Sequence, residues 1–414
     1  MNDILSPKKV NRIGISFESI LTFFIAVVVI LNSGYYRTLN SYAPLVLLIL
    51  VSAVSLLVFR TRNKPDTIMT ILLLCILFGI ALSVLGNASM SNLLSGGRVA
   101  VTIICCFVLF IKIDVEMFIK QFSKIIRWII YASIVVMLVG TIFGRLPGVQ
   151  YSEKYYDYFI VTATSADGRA MGCFWEPGVF ASVIIMAMVL EIYFAESAIS
   201  LQKIIVYCIG VLISRSTAGI LLLLLMLVAF IWKRLKFSKS TFANFMFVVV
   251  TVLVILGYEN FFSYLNELNP EIFGKLVDSG LGSTATRMNA PMANLKIFAY
   301  SPVYGFGFTD AATIFTEFLK DTGADKIFAQ TSTSTQILAS IGFLGLAYTI
   351  MAIMPFLKHK KNGMGFVGGF VLSAIMLLIV NKEPHIFIAL SWIVLMFFHT
   401  EVKASSKITQ VHNK

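Results

Sequence analysis

Charge is scarce in this sequence. Charged residues make up 13% of its 414 residues, while hydrophobic residues make up 58% and the mean hydropathy is +0.87. Soluble domains carry about twice that share of charge, so the composition excludes an ordinary water-soluble protein. Apolar runs of about 17–20 residues, the length that a helix needs to cross a bilayer core, recur along the chain. We therefore predict an all-α polytopic integral membrane protein.

Several chemical motifs are also missing. The five cysteines include no CxxC pair, and the four histidines form no HExxH or other metal-binding spacing. We interpret the cysteines as small apolar residues in or beside membrane spans. The chain has no GxxxxGK[ST] phosphate loop and no DxD pair, and the GFGF at 305–308 lacks the flanking strand and helix of a dinucleotide fingerprint. The sequence therefore predicts no metal and no other cofactor.

The apolar runs predict about twelve spans within one transmembrane domain, residues 1–400. The spans lie near 15–32, 42–59, 67–86, 98–113, 126–144, 177–195, 201–214, 217–233, 241–258, 335–357, 364–380 and 385–400. Two long outer connections are predicted at 145–176 and 259–334, and the second is expected to contain short helices. Residues 401–414 are predicted to form a cytoplasmic tail.

Basic residues predict the orientation of the spans. Most of the 33 lysines and arginines, such as Arg60, Arg62 and Lys64, fall on the same side as the N-terminus, and cytoplasmic loops carry this excess. Both termini are therefore predicted in the cytoplasm. The net charge of +12 is interpreted as anchoring to the lipid bilayer, because no basic soluble domain is present to bind nucleic acid. The inner loops leave no room for a nucleotide-binding domain, so any reaction is expected on the outer face.

One stretch, GRAMGCFWEPGVFA at 168–181, places charge at the edge of an apolar run. Proline suits the first turn of a helix, and the residue before it avoids helical backbone. The sixth span is therefore predicted to begin at Pro177, with Glu176 at its N-cap as either a capping carboxylate or a general base at the membrane surface. Arg169, upstream in non-helical chain, is able to fold back over the same place. Trp175 is a further candidate substrate-binding residue.

Two more arginines are predicted on the outer side. Arg215 lies in a tight turn, ISRSTAG, where Ser216 or Thr217 is expected to cap the next helix, and Arg287 lies in the long outer loop. Each alone is compatible with a solvated charge or a lipid-headgroup contact. Together with Arg169 they supply three guanidinium groups, which bind phosphate in a bidentate manner and keep their charge. The set predicts a pyrophosphate site in which arginine replaces a metal ion.

A group of motifs carries a resemblance to a known family. They are GRAMGCFWEPGVFA (168–181), SRSTAG (214–219), an arginine in the large outer loop (Arg287), SPVYGFGF (301–308) and STSTQILASIGFLG (332–345). In these motifs and in the order of its spans the chain resembles the bacterial O-antigen polymerase (Wzy) family, which is related to the O-antigen ligases. The first five spans contribute little to the resemblance.

The resemblance implies a metal-independent glycosyltransferase at the outer face of the bacterial inner membrane. A growing glycan on undecaprenyl pyrophosphate would be transferred to a new lipid-linked repeat unit, and the lipid pyrophosphate would leave. Arg169, Arg215 and Arg287 would bind the phosphates, while Gly305 and Gly307 would allow a tight turn in the loop over the site. Polymerases of this family are usually paired with a chain-length regulator.

One departure concerns the general base. The related ligases have a histidine near the start of the span after the large loop, where this chain has the stretch Ser332–Gln336. Hydroxyl and amide groups are poor bases at neutral pH, which favours a polymerase and makes Glu176 the first candidate. Glu383 and His385, in the NKEPH turn, are the second choice, and His385 is also a candidate substrate-binding residue. Alternatively, both cap the twelfth span.

Other functions stay open. An O-antigen ligase would use the same chemistry with lipid A core as acceptor, and the polymer could be O-antigen, capsule or exopolysaccharide. A transporter or flippase for lipid-linked oligosaccharides is expected to hold polar groups at mid-depth. The unusual charges of this chain lie instead at the predicted outer rim, which favours an enzyme.

Overall fold

The helices of this protein follow the apolar runs of its sequence. The computed structural model describes residues 17–34, 42–143, 149–152, 155–159, 162–165, 168–194, 199–234, 249, 283–321, 330–358 and 365–400. These residues are mostly helical. Every predicted span contains a helix except the ninth, 241–258, which apart from residue 249 lies outside the described residues, as does the predicted tail 401–414.

We number the helices in chain order. They are α1 (Phe17–Ser33), α2 (Tyr42–Val58), α3 (Thr67–Asn87), α4 (Met90–Lys112), α5 (Val115–Phe143), α6 (Pro177–Tyr193), α7 (Leu201–Ile213), α8 (Thr217–Arg234), α9 (Ser283–Tyr300), α10 (Phe308–Asp321), α11 (Thr333–Ile341), α12 (Leu346–Leu357), α13 (Gly365–Lys382) and α14 (Ala389–Phe397). A 3-10 turn, Gly342–Gly345, joins α11 to α12. Helices α3, α4, α5 and the continuous stretch Thr333–Leu357 are long and apolar enough to cross a membrane, by length and composition.

Two helices extend beyond the predicted spans. Helix α5 begins at Val115, whereas the predicted span begins at 126. The added turns are amphipathic: Phe118 and Phe122 are buried, while Lys120 and Lys124 are exposed. A hydropathy window finds only the apolar part of such a helix, and tertiary packing of one face stabilises the rest. Helix α4 likewise begins at Met90, before the predicted residue 98.

The first predicted outer connection contains a small β-sheet, which the all-α prediction did not include. Its strands are β1 (Val149–Ser152), β2 (Tyr155–Phe159), β3 (Thr162–Ser165) and β4 (Ala170–Gly172), paired antiparallel in the order β1-β2-β3-β4. Strand β4 packs on α5 and α6. Gly172 has φ +57°, and a Cβ at this position would lie 2.8 Å from the ring of Phe180. The close contact fixes the end of the sheet against α6.

Helix α6 is buried on all sides. Every side chain from Val179 to Tyr193 is buried, and the helix contacts α5, α7, α8 and β4. A Cβ at Gly219 of α8 would lie 2.6 Å from the Cβ of Ala181, so the glycine allows the two helices to approach closely. The start of α6, at Pro177 as predicted, therefore lies inside a cluster of helices.

The described part of the predicted large outer loop contains α9 and α10; residues 259–282 and 322–329 lie outside the described residues. Both helices pack on α11 around a small apolar core, which includes Ile297 and Phe315. Gly305 and Gly307 have φ of +65° and +78°. A side chain at Gly305 would overlap the backbone of Ser340. The predicted tight turn is thus present, while a role of these glycines in substrate binding stays a prediction.

Candidate functional site

Four segments that are far apart in the sequence meet around Lys382. The Nζ atom of Lys382, the last residue of α13, donates a 2.8 Å hydrogen bond to Oγ of Ser216 and a 3.3 Å hydrogen bond to the carbonyl of Gly178. Ser216 precedes α8, and Gly178 lies in the first turn of α6. One buried ammonium group therefore joins the stretch that contains Glu176 to the turn that contains Arg215.

Lys382 and Glu383 are both buried, with exposures of 9% and 2%. A Cβ at Gly178 would lie 3.0 Å from Nζ of Lys382 and 3.0 Å from Oε1 of Glu383. The glycine therefore makes room for both charged groups beside the helix backbone. Burying charge is costly unless it is paired and hydrogen-bonded, and Lys382 meets this requirement through its bonds to Ser216 and Gly178.

The start of α11 is bound to the same segment. Oγ1 of Thr333 donates to the carbonyl of Glu383 over 2.9 Å and accepts from the N–H of His385 over 2.7 Å. Oδ1 of Asn381 accepts from Oγ of Ser332 at 3.2 Å and from the N–H of Ser334 at 3.1 Å. The first turns of α6, α8 and α11 therefore all contact residues 381–385.

Three helix N-termini meet at this junction, together with the C-terminus of α13, which ends at Lys382. Unpaired backbone N–H groups and the helix dipole make an N-terminus favourable for anions. Lys382 adds a full positive charge where these N-termini meet, and Arg215 adjoins Ser216. The carboxylate of Glu383 lies beside Gly178, two residues after Glu176. A site with this composition is able to bind an anion such as phosphate and to accept a proton.

The backbone is strained at two positions beside the junction. Arg215 has φ +45° and Ser332 has φ +63°. Few residues other than glycine occupy this left-handed region, and such strain concentrates at functional sites. Arg215 is exposed and occupies this strained conformation in the turn between α7 and α8.

Glu176 occupies the predicted N-cap of α6 in extended conformation, but its side chain makes no capping hydrogen bond. The capping interpretation is therefore not supported, and a role of this half-buried carboxylate as general base stays a prediction. Trp175 is half-buried and packs against the apolar core. By contrast Ser216 is a cap as predicted, because the N–H of Gly219 donates to its Oγ over 3.3 Å.

Arg169 lies in the turn between β3 and β4. Its N–H donates to Oγ of Ser165 over 3.1 Å, and its carbonyl accepts from the N–H of Ser165 over 3.0 Å. Strand β4, which follows, packs on α6, and the approach of Arg169 to Glu176 stays a prediction. Its side chain is half-buried.

Arg287 is placed by its helix. It lies in α9, whose Asn294 donates from Nδ2 to the carbonyl of Thr331 and to Oγ1 of Thr335, both over 3.1 Å. Arg287 is two helical turns before Asn294, about 10 Å along the axis. The structure thus brings together the segments of Glu176, Arg215 and Lys382, and connects the helix of Arg287 to them through α11.

His385 is completely buried, with 0% exposure. Its Nδ1 forms a 2.8 Å hydrogen bond with Oγ of Ser391. The ring is therefore turned into the protein, next to the start of α14, which places it as a residue that orients the NKEPH turn. Whether it contacts substrate stays a prediction.

Lys382 was missed by the sequence analysis, although it adjoins Glu383 and lies three residues before His385, both of which were chosen. A signal was present, because Lys382 is a basic residue at the predicted outer end of a span, against the positive-inside trend that singled out the arginines. Its hydrogen bonds to Ser216 and Gly178 are set by tertiary contacts and cannot be found from spacing.

Two other chemistries have little support at this junction. Burial raises the pKa of the Cys173 thiol to about 12, so the group stays protonated at neutral pH and is a poor nucleophile. In the described ranges, no group of three or more His, Cys, Asp or Glu residues is arranged to hold a metal ion. The groups that do converge are the ammonium of Lys382, the carboxylate of Glu383 and three helix N-termini.

Comparison with known proteins supports the resemblance. Residues 204–350 match the family model described as O-antigen ligase, which confirms the similarity to the O-antigen polymerase and ligase family over that segment. The family contains glycosyltransferase-like enzymes that act on lipid-linked glycans, including both ligases and polymerases. Comparisons with curated proteins and with solved structures gave no match. The matched segment includes Arg215 and Arg287, and the structure adds the start of α6 and the NKEPH turn to them.

Proposed function

We propose that this protein is a polymerase of O-antigen or a related surface polysaccharide in the bacterial inner membrane. It transfers a growing glycan from undecaprenyl pyrophosphate to a new lipid-linked repeat unit on the periplasmic side, with both termini in the cytoplasm. The observation that carries the proposal is the junction at Lys382. There three helix N-termini and a buried cation meet beside Arg215 and Glu176.

The pyrophosphate is the group that this junction suits best. Arg169, Arg215 and Arg287 bind its oxygens, and Lys382 holds the turn of Arg215 against α6. A fixed set of cations stabilises the negative charge that develops on a leaving group. Because guanidinium groups stay charged, this stabilisation needs no bound metal.

The reaction breaks one bond and forms another. The acceptor hydroxyl oxygen forms a bond to the anomeric carbon of the donor sugar. The bond between that carbon and the pyrophosphate oxygen breaks, and its electron pair stays on the lipid pyrophosphate. The hydroxyl proton passes to the carboxylate of Glu176, which acts as the general base.

The start of α11 favours a polymerase over a ligase. The related ligases have a histidine there, and this chain has hydroxyl and amide side chains from Ser332 to Gln336. Among the described residues, His385 is the histidine that contacts the start of α11. Its backbone N–H donates to Oγ1 of Thr333, and its ring is buried. A chain-length regulator is the partner we expect for such a polymerase.

The proposal is tested by deleting the gene in its host and restoring it with variants. We expect the wild-type gene to restore a ladder of polymer on a gel, and Arg287→Ala to leave a single repeat unit while the protein still inserts. Lys296→Ala, an exposed change in the same helix, is the matched control and should keep the ladder.

Other outcomes would identify other functions. A deletion strain that accumulates full-length polymer on the lipid carrier, with none on lipid A core, would establish a ligase. A strain that accumulates single repeat units on the cytoplasmic face would establish a flippase. A normal ladder with Arg287→Ala would remove Arg287 from the site.

A further inference from the structure

A patch of buried, uncharged polar side chains surrounds the start of α11. Seven successive residues, Gln330–Gln336, carry only amide or hydroxyl groups. All are buried except Thr335, which is half-buried. An apolar sequence rarely buries so many polar groups together, because each must find a hydrogen-bond partner.

Part of this patch is held by the protein itself. The amides form a chain in which Nε2 of Gln336 donates to Oε1 of Gln330 over 3.2 Å, and Nε2 of Gln330 donates to Oδ1 of Asn294 over 2.7 Å. Ser332 and Thr333 bind the 381–385 segment, as described above. These contacts fix the patch between α9 and the Lys382 junction.

Three polar atoms of the patch have no partner in the described part of the chain. They are Oγ1 of Thr331, Oγ of Ser334 and Oε1 of Gln336, on side chains with exposures of 5%, 7% and 4%. Leaving a buried polar atom without a hydrogen bond is destabilising. Three such atoms within six residues therefore point to a ligand that pairs with them.

We propose that this patch, Gln330–Gln336 with Asn294, is the subsite for sugar hydroxyls of the lipid-linked repeat unit. The inference rests on the proposed polymerase function and names the part of the site that recognises the sugar. Hydroxyl and amide groups both donate and accept hydrogen bonds, as sugar hydroxyls do. The patch has no charge of its own and adjoins the cationic junction, so sugar and pyrophosphate bind side by side.

The test uses variants that remove the atoms without partners. Ser334→Ala and Thr331→Val each delete one such oxygen, and Ser340→Ala in the same helix is the matched control, because its Oγ donates back to the carbonyl of Gln336 over 2.9 Å. The full-length protein in detergent or nanodiscs is assayed with the lipid-linked repeat unit extracted from the deletion strain. Undecaprenyl pyrophosphate, which lacks the sugar, is the competing inhibitor.

We expect each patch variant to raise the apparent KM for the repeat unit about fivefold. This is the change in affinity that the loss of one neutral hydrogen bond produces. Inhibition by undecaprenyl pyrophosphate should stay unchanged, and the melting temperature should stay the same or rise. Ser340→Ala should leave all three quantities unchanged. Arg215→Ala should instead weaken inhibition by undecaprenyl pyrophosphate.

Three results would overturn the subsite. They are an unchanged KM in both patch variants, a melting temperature lowered by several degrees, and equal weakening of repeat-unit and undecaprenyl pyrophosphate binding. Each would leave the polymerase function standing, since wild-type elongation is measured in the same assay. If the wild-type protein does not elongate the repeat unit, the proposed function itself fails, and the subsite fails with it.

Discussion

The Nζ atom of Lys382 lies 2.8 Å from Oγ of Ser216, although the two residues are 166 positions apart in the sequence. Through Ser216 the lysine fixes the turn of Arg215, and through the carbonyl of Gly178 it fixes the start of α6. The two turns that carry the candidate phosphate-binding and base residues therefore share one anchor.

The first prediction concerns this anchor. We expect Lys382→Met to lower the elongation rate about a hundredfold, comparable to the loss of one charge-stabilising donor in an active site. Both hydrogen bonds and the buried charge are lost together. Elongation of the extracted repeat unit by purified protein measures the effect. Lys64→Met, an exposed change at the predicted inner side, is the control, and a normal rate for Lys382→Met would exclude the anchor role.

The second prediction concerns the space at Gly178. A methyl group there would lie 3.0 Å from Nζ of Lys382 and from Oε1 of Glu383, so Gly178→Ala should displace one of them and lower activity about tenfold. Gly97→Ala provides a comparison, because a Cβ at that helical glycine meets nothing within 4 Å. It should be neutral or stabilising by about 0.5–1 kcal/mol. Equal activity in the two variants would contradict the prediction.

The third prediction separates the two ends of α6. Near the other end of α6, Nη1 of Arg127 lies 2.9 Å from both Oε1 and Oε2 of Glu191. The hydroxyl of Tyr207 also donates to Oε2 of Glu191 over 2.8 Å. Glu191→Leu would leave the half-buried Arg127 without its carboxylate, which we expect to cost about 1–3 kcal/mol. We expect a lower melting temperature but normal activity per folded molecule. Lost activity at unchanged stability would show that Glu191 takes part in the reaction.

The fourth prediction concerns Cys173. Its pKa is raised by burial from 9.0 to about 12 in the folded protein, so the thiol is neutral at pH 8 while an unfolded thiol ionises above about pH 9. The stabilisation from this protonated thiol is therefore complete below pH 9 and is lost as the pH rises toward 12. In a variant that keeps Cys173 as its single cysteine, a maleimide should label the protein only after denaturation. Rapid labelling of the native protein at pH 8 would refute the burial.

Local features of this structure were predictable because they depend on a few neighbouring residues. Pro177 marks the start of α6, Ser216 caps α8, and Gly305 and Gly307 adopt positive φ, each for a reason that the sequence shows. The strands between Val149 and Gly172 were missed, since runs of three to five residues carry little periodic signal.

The candidate site was predictable only in part. The segments of Arg169, Glu176 and Arg215 were chosen because charge is expensive beside apolar runs, and the structure places them around α6. Lys382 became recognisable only through its contacts across helices. The polar stretch from Gln330 was visible in the sequence, but which of its atoms lack partners depends on the packing of α9 and α13.

Helix α6 has no face that meets lipid or water between Val179 and Tyr193. Its side chains are packed against other parts of the protein on every side. In the proposed orientation the protein can hold a cluster of charges at the periplasmic end of α6 without opening a path for ions down its length.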